Sequence, residues 1–130
     1  MFNNTGIKKE TAVAVNQILA FVEPQVSVGV VVNNTGITAD ADGKKIIKAG
    51  TPVYGDLTAR TTAWTKATTT EGVSNAAGIL LHDVDVTAGN NNGTVLIFGF
   101  VNLDRLDSTT AALITAAVKT ALNAKVTFIK

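Results

Sequence analysis

Alternating apolar and polar residues predict β-strands in the first third of the chain. The stretch 26–32 places a valine at every second position, and β-branched residues suit a pleated surface. The preceding stretch, 13–22, fits both a period of two and a helical stripe, and we favour a strand. Turn residues at 33–36 and 42–43 then bracket a polar segment, before a short apolar stretch at 45–48.

The second half of the chain carries stronger apolar runs. Residues 78–82 are typical of a buried strand, and a loop of glycine and asparagine follows at 89–93. Residues 95–101 are apolar at nearly every position, which predicts a strand buried on both faces at the centre of the core. The threonine-rich stretch 58–70 has few large apolar residues, so we interpret it as a long surface loop.

The C-terminal pattern predicts one helix and a final strand. Asp107-Ser108 can cap a helix over 109–123, where large apolar residues recur at four-residue spacing. Residues 125–130 then fit a short terminal strand. The predicted fold class is therefore mostly β (α+β), with one C-terminal helix. We divide the chain into an N-terminal arm with the first apolar segment, 1–25, and a β-rich domain, 26–130.

Composition limits the classes of partner. The chain has 130 residues, which suits one domain with a single modest core. Charged residues make up 16% of the chain, below the roughly 25% of an average soluble protein, so we expect partners to cover part of the surface. The formal net charge of +1 creates no field that would gather nucleic acid or anionic lipid. We therefore expect neither nucleic acid nor a membrane as partner.

The chain contains no cysteine, which excludes disulfides and thiolate chemistry. Its first residues lack the basic-then-apolar order of a secretion signal. Its apolar runs are shorter than the roughly 20 residues that span a bilayer. We expect a protein that is made in the cytoplasm and remains soluble.

The candidate chemistry centres on His82, Asp83 and Asp85. A His-Asp pair can serve a nucleophilic site, but neighbouring side chains on a strand point to opposite faces. Two carboxylates on one face can bind a hard cation, yet a calcium loop counted from Asp83 would need Gly and Glu where Ala88 and Thr94 stand. We expect no catalytic residue, metal or cofactor, although an irregular ion site beside the two aspartates stays open.

Trp64 is the aromatic residue that the threonine-rich stretch could expose. An exposed tryptophan can anchor a partner or a sugar ring. The alternative, which we favour, is that the ring folds back over the core, because large apolar side chains seldom stay uncovered.

Two segments resemble capsid-decoration and head-fibre proteins of tailed phages. Residues 26–37 followed by 43–53, with Lys48-Ala-Gly-Thr-Pro52, resemble the strand, turn and "K-x-G-T-P" opening of those domains. Residues 76–87 followed by 94–106 are similar to the glycine and apolar pattern of the lambda-type head decoration family. The threonine-rich stretch and the segment before Val26 have no counterpart in that pattern.

The resemblance implies a trimer seated on the outer surface of a phage capsid, where it stabilises the expanded head. Its partners would be the major capsid protein and copies of itself. It also implies that residues 2–12 form a docking arm on the capsid, and there the contact residues would be Phe2, Ile7, Lys8 and Lys9. The alternative is a carbohydrate- or host-surface-binding module of a phage particle, in which Trp64 carries recognition.

Overall fold

The computed structural model describes residues 17–130, apart from the side chains of residues 22 and 23. It confirms the mostly β fold class. Ten strands and two short α-helices follow in this order: β1 Leu19–Val32, β2 Ile46–Ile47, β3 Pro52–Tyr54, β4 Thr65–Lys66, β5 Thr69–Thr70, β6 Val73–Ser74, β7 Gly78–Leu80, β8 Val84–Asp85, β9 Asn91–Asn102, α1 Ser108–Ala111, α2 Ala116–Ala121 and β10 Val126–Ile129. A 3-10 helix, Leu103–Arg105, lies between β9 and α1.

One sheet of six strands organises these elements, in the order β1-β9-β7-β3-β4 with β10 also paired to β9. All its pairs are antiparallel except β10 with β9, which is parallel. The long strand β9 therefore has β1 along one side and both β7 and β10 along the other. This confirms a strand over residues 95–101 with neighbours on both sides. The expected burial on both faces is wrong for part of it, because Phe98 is 41% exposed.

The sheet carries apolar packing on both faces. Ile79 and Leu96 are paired across β7 and β9 and belong to one cluster, which also contains Val118 and Leu122 from the C-terminal helical segment. Their sequence neighbours Leu80 and Val95 point the other way and join a second cluster, which contains Trp64. We call these the helix-side core and the Trp64-side core.

The expected single helix over 109–123 is wrong. Two short helices, α1 and α2, lie there instead, separated by residues 112–115. Thr115 adopts an extended backbone and its hydroxyl accepts a hydrogen bond from the Val118 N–H, which starts a new helix. Threonine hydroxyls compete for backbone groups in this way, and that competition outweighs the apolar periodicity. The predicted cap is confirmed, because the Asp107 carboxylate accepts a hydrogen bond from the Thr109 N–H.

One further expectation, the long loop over 58–70, needs correction. The stretch 58–70 is not one long loop, because it contains β4 and the whole of β5. The strand predicted at 26–32 is confirmed, but β1 starts at Leu19 and runs through the expected division between residues 25 and 26. Pro24 is compatible with this long strand because β1 lies at the edge of the sheet. Residues 13–16 lie outside the described residues.

Candidate docking surface

The outer half of the sheet leaves a group of large apolar side chains uncovered on one face. We call this group the aromatic surface, and its members are Phe21, Val26, Phe98, Phe100 and Ile129. The exposed fraction is 53% for Phe21, 49% for Val26, 41% for Phe98 and 36% for Ile129, and Phe100 is partly buried. The rings of Phe21 and Phe100 pack edge to face, with their centroids 5.4 Å apart.

Strand register places these side chains together. Val26 lies opposite Phe98 and Phe21 lies opposite Phe100 across the β1–β9 pair. Val26 shares a strand face with Val28, which packs against the Trp64-side core, so the aromatic surface continues the face of that core. Ile129 joins it from β10, where it lies opposite Asn102, two residues beyond Phe100.

Irregular pairing explains why this part of the sheet is uncovered. The β1–β9 register shifts between Leu19 and Phe21, between Phe21 and Val26, and again between Val26 and Ser27. Such bulges bend a strand and re-aim its side chains. Gly99 completes the bend with a φ of 157°, and a Cβ there would come within 3.0 Å of a Leu96 methyl. The bend directs Phe98 and Phe100 away from the helix-side core.

The two faces at this end of the sheet therefore differ. On the helix-side face, Val101 and Val126 are buried together with Val118 and Leu122. On the opposite face, among residues 17–130, no helix or strand covers the aromatic surface. Contiguous exposed apolar side chains of this kind mark sites where a protein contacts another molecule.

The Asp83 carboxylate contacts groups other than His82. The Asp83 carboxylate accepts a hydrogen bond from the Ala49 N–H at 2.7 Å, and its other oxygen lies 3.9 Å from Lys48 Nζ. His82 takes part in neither contact and its side chain is exposed. Asp83 thus ties the start of β8 to the chain that follows β2, which is a structural role.

The Asp85 carboxylate accepts hydrogen bonds from Thr87, two residues further along the chain. Its Oδ1 accepts hydrogen bonds from the Thr87 hydroxyl at 2.6 Å and from the Thr87 N–H at 2.9 Å. The two aspartates therefore point their carboxylates at different partners. Within the part of the chain that the structure describes, no group of three or more histidine or acidic side chains is arranged to hold a metal ion.

The hydrogen bonds from Thr87 give a testable titration. The Thr87 hydroxyl, and after it the Thr87 N–H, lowers the pKa of Asp85 below its ordinary value. Because the folded-state pKa is lowered, this turn contributes stability above the unfolded-state pKa, and the contribution is lost as pH falls through the folded-state pKa. We expect Thr87→Val to raise the pKa of Asp85 in an NMR titration.

Thr58→Val is the matched control, since Asp56 accepts the same two hydrogen bonds from Thr58. It should raise the pKa of Asp56 and leave Asp85 unchanged. An Asp85 pKa that does not respond to Thr87→Val would show that another contact sets it.

The structure corrects one site prediction. Trp64 has an exposed fraction of 0%, so it cannot carry surface recognition in the folded chain. The competing interpretation, that the ring folds back over the core, is confirmed. Trp64 forms an isolated parallel bridge with Val32 of β1, and its backbone N–H donates to the Val31 carbonyl at 2.7 Å. The proposed arm residues Phe2, Ile7, Lys8 and Lys9 lie outside the described residues.

Two open grooves are lined by residues outside the aromatic surface. One, of ≈ 350 Å³, runs beside Gly29–Val31 of β1 and is bordered by Arg60 and Asn92. The other, of ≈ 330 Å³, lies between the chain around β2 and α1 and has Lys48, Lys66 and Asp107 on its rim. In the described part of the chain, no helix is long and apolar enough to cross a membrane.

The sequence alone does not predict the aromatic surface. The run 95–101 looks uniformly apolar, and no local signal separates the exposed Phe98 from the buried Leu96. Gly99 within that run was the available hint, because an isolated glycine in a strand often marks a bulge.

No protein-family model matches this sequence, and no curated protein matches it.

Proposed function

We propose that this protein is a structural virion component that binds the outside of a phage capsid as a trimer and stabilises the expanded head. The observation that carries the proposal is the aromatic surface: a contiguous group of large apolar side chains on a sheet face that no described element covers. The resemblance of segments within residues 26–53 and 76–106 to capsid-decoration proteins is the reason for proposing a phage capsid as the partner and a trimer as the assembly.

Physical reasoning supports an assembling subunit. The central part of an interface between identical chains is more apolar than ordinary protein surface and is depleted in charge. The aromatic surface supplies the apolar part of such an interface, since four of its five members are exposed large apolar side chains. The net charge of +1 also leaves little electrostatic repulsion between copies. We assign the aromatic surface to contacts between copies of this chain.

The contact with the shell is assigned to the N-terminal segment. Phe2 and Ile7 offer apolar anchors and Lys8 and Lys9 offer cations, so the segment can bind without a preformed pocket. A trimer presents three such segments at once, and this multivalency strengthens attachment that is weak for each copy. The function so described needs no catalytic group, metal or cofactor. Deleting residues 2–12 should abolish co-sedimentation with empty heads and leave the unfolding midpoint unchanged; retained binding would contradict the assignment.

The aromatic surface gives a prediction about assembly. The double variant Phe21→Ser with Phe98→Ser should be monomeric by light scattering and should not pellet with heads, because it removes the two large rings that are about half exposed. Its free energy of unfolding should change by about 1 kcal/mol or less, as for other exposed positions.

Tyr54→Ser is the matched control. Tyr54 is 49% exposed, but its neighbour Val53 points into the Trp64-side core, so Tyr54 lies on the other face of the sheet. This variant should assemble as the parent does. If the double variant keeps the parent's mass, the aromatic surface is not the contact between copies.

The alternative, a carbohydrate- or host-surface-binding module, was based on an exposed Trp64. Trp64 is buried, so that argument no longer supports it. No other feature of the described residues favours it.

A further inference from the structure

The sequence contains a single asparagine that is followed by glycine, at Asn92-Gly93 near the start of β9. In such a pair the backbone nitrogen of the glycine can attack the side-chain amide of the asparagine, and glycine hinders the attack least because it has no side chain. The Gly93 nitrogen loses its proton and bonds to Asn92 Cγ, and the side-chain nitrogen leaves as ammonia. Water then opens the cyclic imide and leaves aspartate or isoaspartate at position 92.

Strand pairing engages the nitrogen that would attack. Val30 of β1 lies opposite Gly93. The Thr94 carbonyl accepts a hydrogen bond from the N–H of Leu81, directly after β7, so the backbone groups of Thr94 face away from β1. Because this direction alternates along an antiparallel strand, the N–H of Gly93 faces Val30. The β1–β9 pair must therefore separate here before the nitrogen can react.

Packing around Gly93 opposes the reaction as well. A Cβ built on Gly93 would lie 3.1 Å from a Val84 methyl and 3.2 Å from a Leu80 methyl, so its backbone lies directly against the Trp64-side core. Ring formation needs rotation of the backbone between Asn92 and Gly93. The folded strand leaves no room for that rotation.

Asn91 fastens the start of β9. Its side-chain Nδ2 donates to the Asp85 carbonyl at 3.0 Å, and its Oδ1 accepts from the Asn92 N–H at 2.8 Å. These two bonds hold the first residues of β9 against the end of β8. Strand ends open more often than strand centres, so the Asn91 side chain controls how often Gly93 is released.

We propose that Asn92-Gly93 is a modification site that the folded chain keeps closed and that reacts when the start of β9 separates from β1. Isoaspartate adds one carbon to the backbone, so the residues before it lose their register with Val31 and Val32. Val32 is fully buried and bridges to Trp64. The modified chain therefore cannot close this end of the pair again. The proposal goes beyond the proposed function and does not depend on it.

The rate of modification in the folded and unfolded chain tests the closed state. The full chain is incubated at mildly alkaline pH with and without denaturant, and peptide mass spectrometry locates the exchange of ammonia for water. We expect Asn92 to react first in denaturant and at least about tenfold more slowly in the folded chain, which corresponds to an opening free energy of about 1.4 kcal/mol or more. Equal rates would overturn the proposal, and so would faster modification of another asparagine in denaturant.

Asn91→Ala tests the fastening. It should speed the modification of Asn92 in the folded chain roughly fivefold, since it removes two hydrogen bonds, and should leave the rate in denaturant unchanged. Asn75→Ala is the matched control, because the Asn75 side chain accepts from the Thr68 N–H beside the β5–β6 pair, away from β9. An Asn91→Ala chain that reacts no faster than Asn75→Ala would contradict the role given to Asn91.

The purified isoaspartate form tests the consequence. It should unfold at a lower denaturant midpoint than the parent chain, because its end of the β1–β9 pair stays open. Asn92→Asp is the control, since it brings the same charge at an exposed position without the extra carbon, and it should keep the parent's midpoint. An isoaspartate form as stable as Asn92→Asp would show that the modification does not hold the strands apart.

Discussion

Replacing Trp64 with alanine is expected to lower the free energy of unfolding by about 3–5 kcal/mol, the range for large aromatic side chains removed from a core. Trp64 has an exposed fraction of 0% and packs in the Trp64-side core with Val32 and Val53. Gly55 lies flat against the indole, because a Cβ on Gly55 would overlap the ring. The surroundings are thus shaped to this side chain and cannot close over the cavity. Chemical denaturation followed by circular dichroism measures the loss.

Two companion variants make the result specific. Trp64→Phe should cost less than Trp64→Ala, because the phenyl ring leaves a smaller cavity. Neither change sacrifices a hydrogen bond of Trp64 Nε1, which has no partner in the described part of the chain. Tyr54→Ala removes a half-exposed ring and should stay within about 1 kcal/mol of the parent. A Trp64→Ala variant as stable as Tyr54→Ala would show that the ring is not a core residue.

Gly78→Ala is expected to destabilise the fold by about 1–3 kcal/mol or more, through overpacking at the centre of the sheet. A Cβ on Gly78 would lie 2.3 Å from a Val95 methyl and 2.8 Å from the Leu96 carbonyl oxygen. The backbone oxygen belongs to β9 and cannot move without disturbing the β7–β9 pair. Thermal or denaturant unfolding would register the change as a lower midpoint.

Gly29→Ala is the matched control, because it makes the same substitution on another strand of the sheet where the added methyl meets no atom. Its free energy of unfolding should remain within about 0.5 kcal/mol of the parent at concentrations where the chain is monomeric. If Gly78→Ala and Gly29→Ala lower the free energy of unfolding equally, crowding against β9 does not explain the effect at Gly78.

The sequence predicted those elements whose signals are local. The valine alternation identified the second half of β1, and the apolar run 95–101 identified the middle of β9. The cap at Asp107 marked the start of α1 correctly. These signals depend on side-chain periodicity and short-range hydrogen bonds, which can be judged from one segment alone.

Features that depend on distant contacts could not be predicted in this way. The single helix expected over 109–123 breaks because Thr115 caps a new helix, and apolar spacing does not report that competition. Trp64 sits in a polar, threonine-rich stretch, yet pairing with Val32 buries it. The aromatic surface arises from bulges between β1 and β9, and a register shift between strands far apart in sequence leaves no local signal.

The candidate site therefore rests on the fold more than on any motif. The sequence indicated His82, Asp83 and Asp85 as the candidate chemical groups. In the structure, Asp83 and Asp85 accept hydrogen bonds from neighbouring turns and strand ends. The structure instead indicates an apolar sheet face, which β1, β9 and β10 form together. Such a face needs a complementary surface in place of reactive groups.

Co-sedimentation of the full chain with empty expanded heads tests the central claim most directly, with the mass of the unbound protein measured in the same samples. We expect a trimer in solution that pellets with heads until its sites are saturated, and we expect decorated heads to withstand heat and osmotic shock better than undecorated heads. A monomer that stays in the supernatant at every ratio of protein to heads would contradict it.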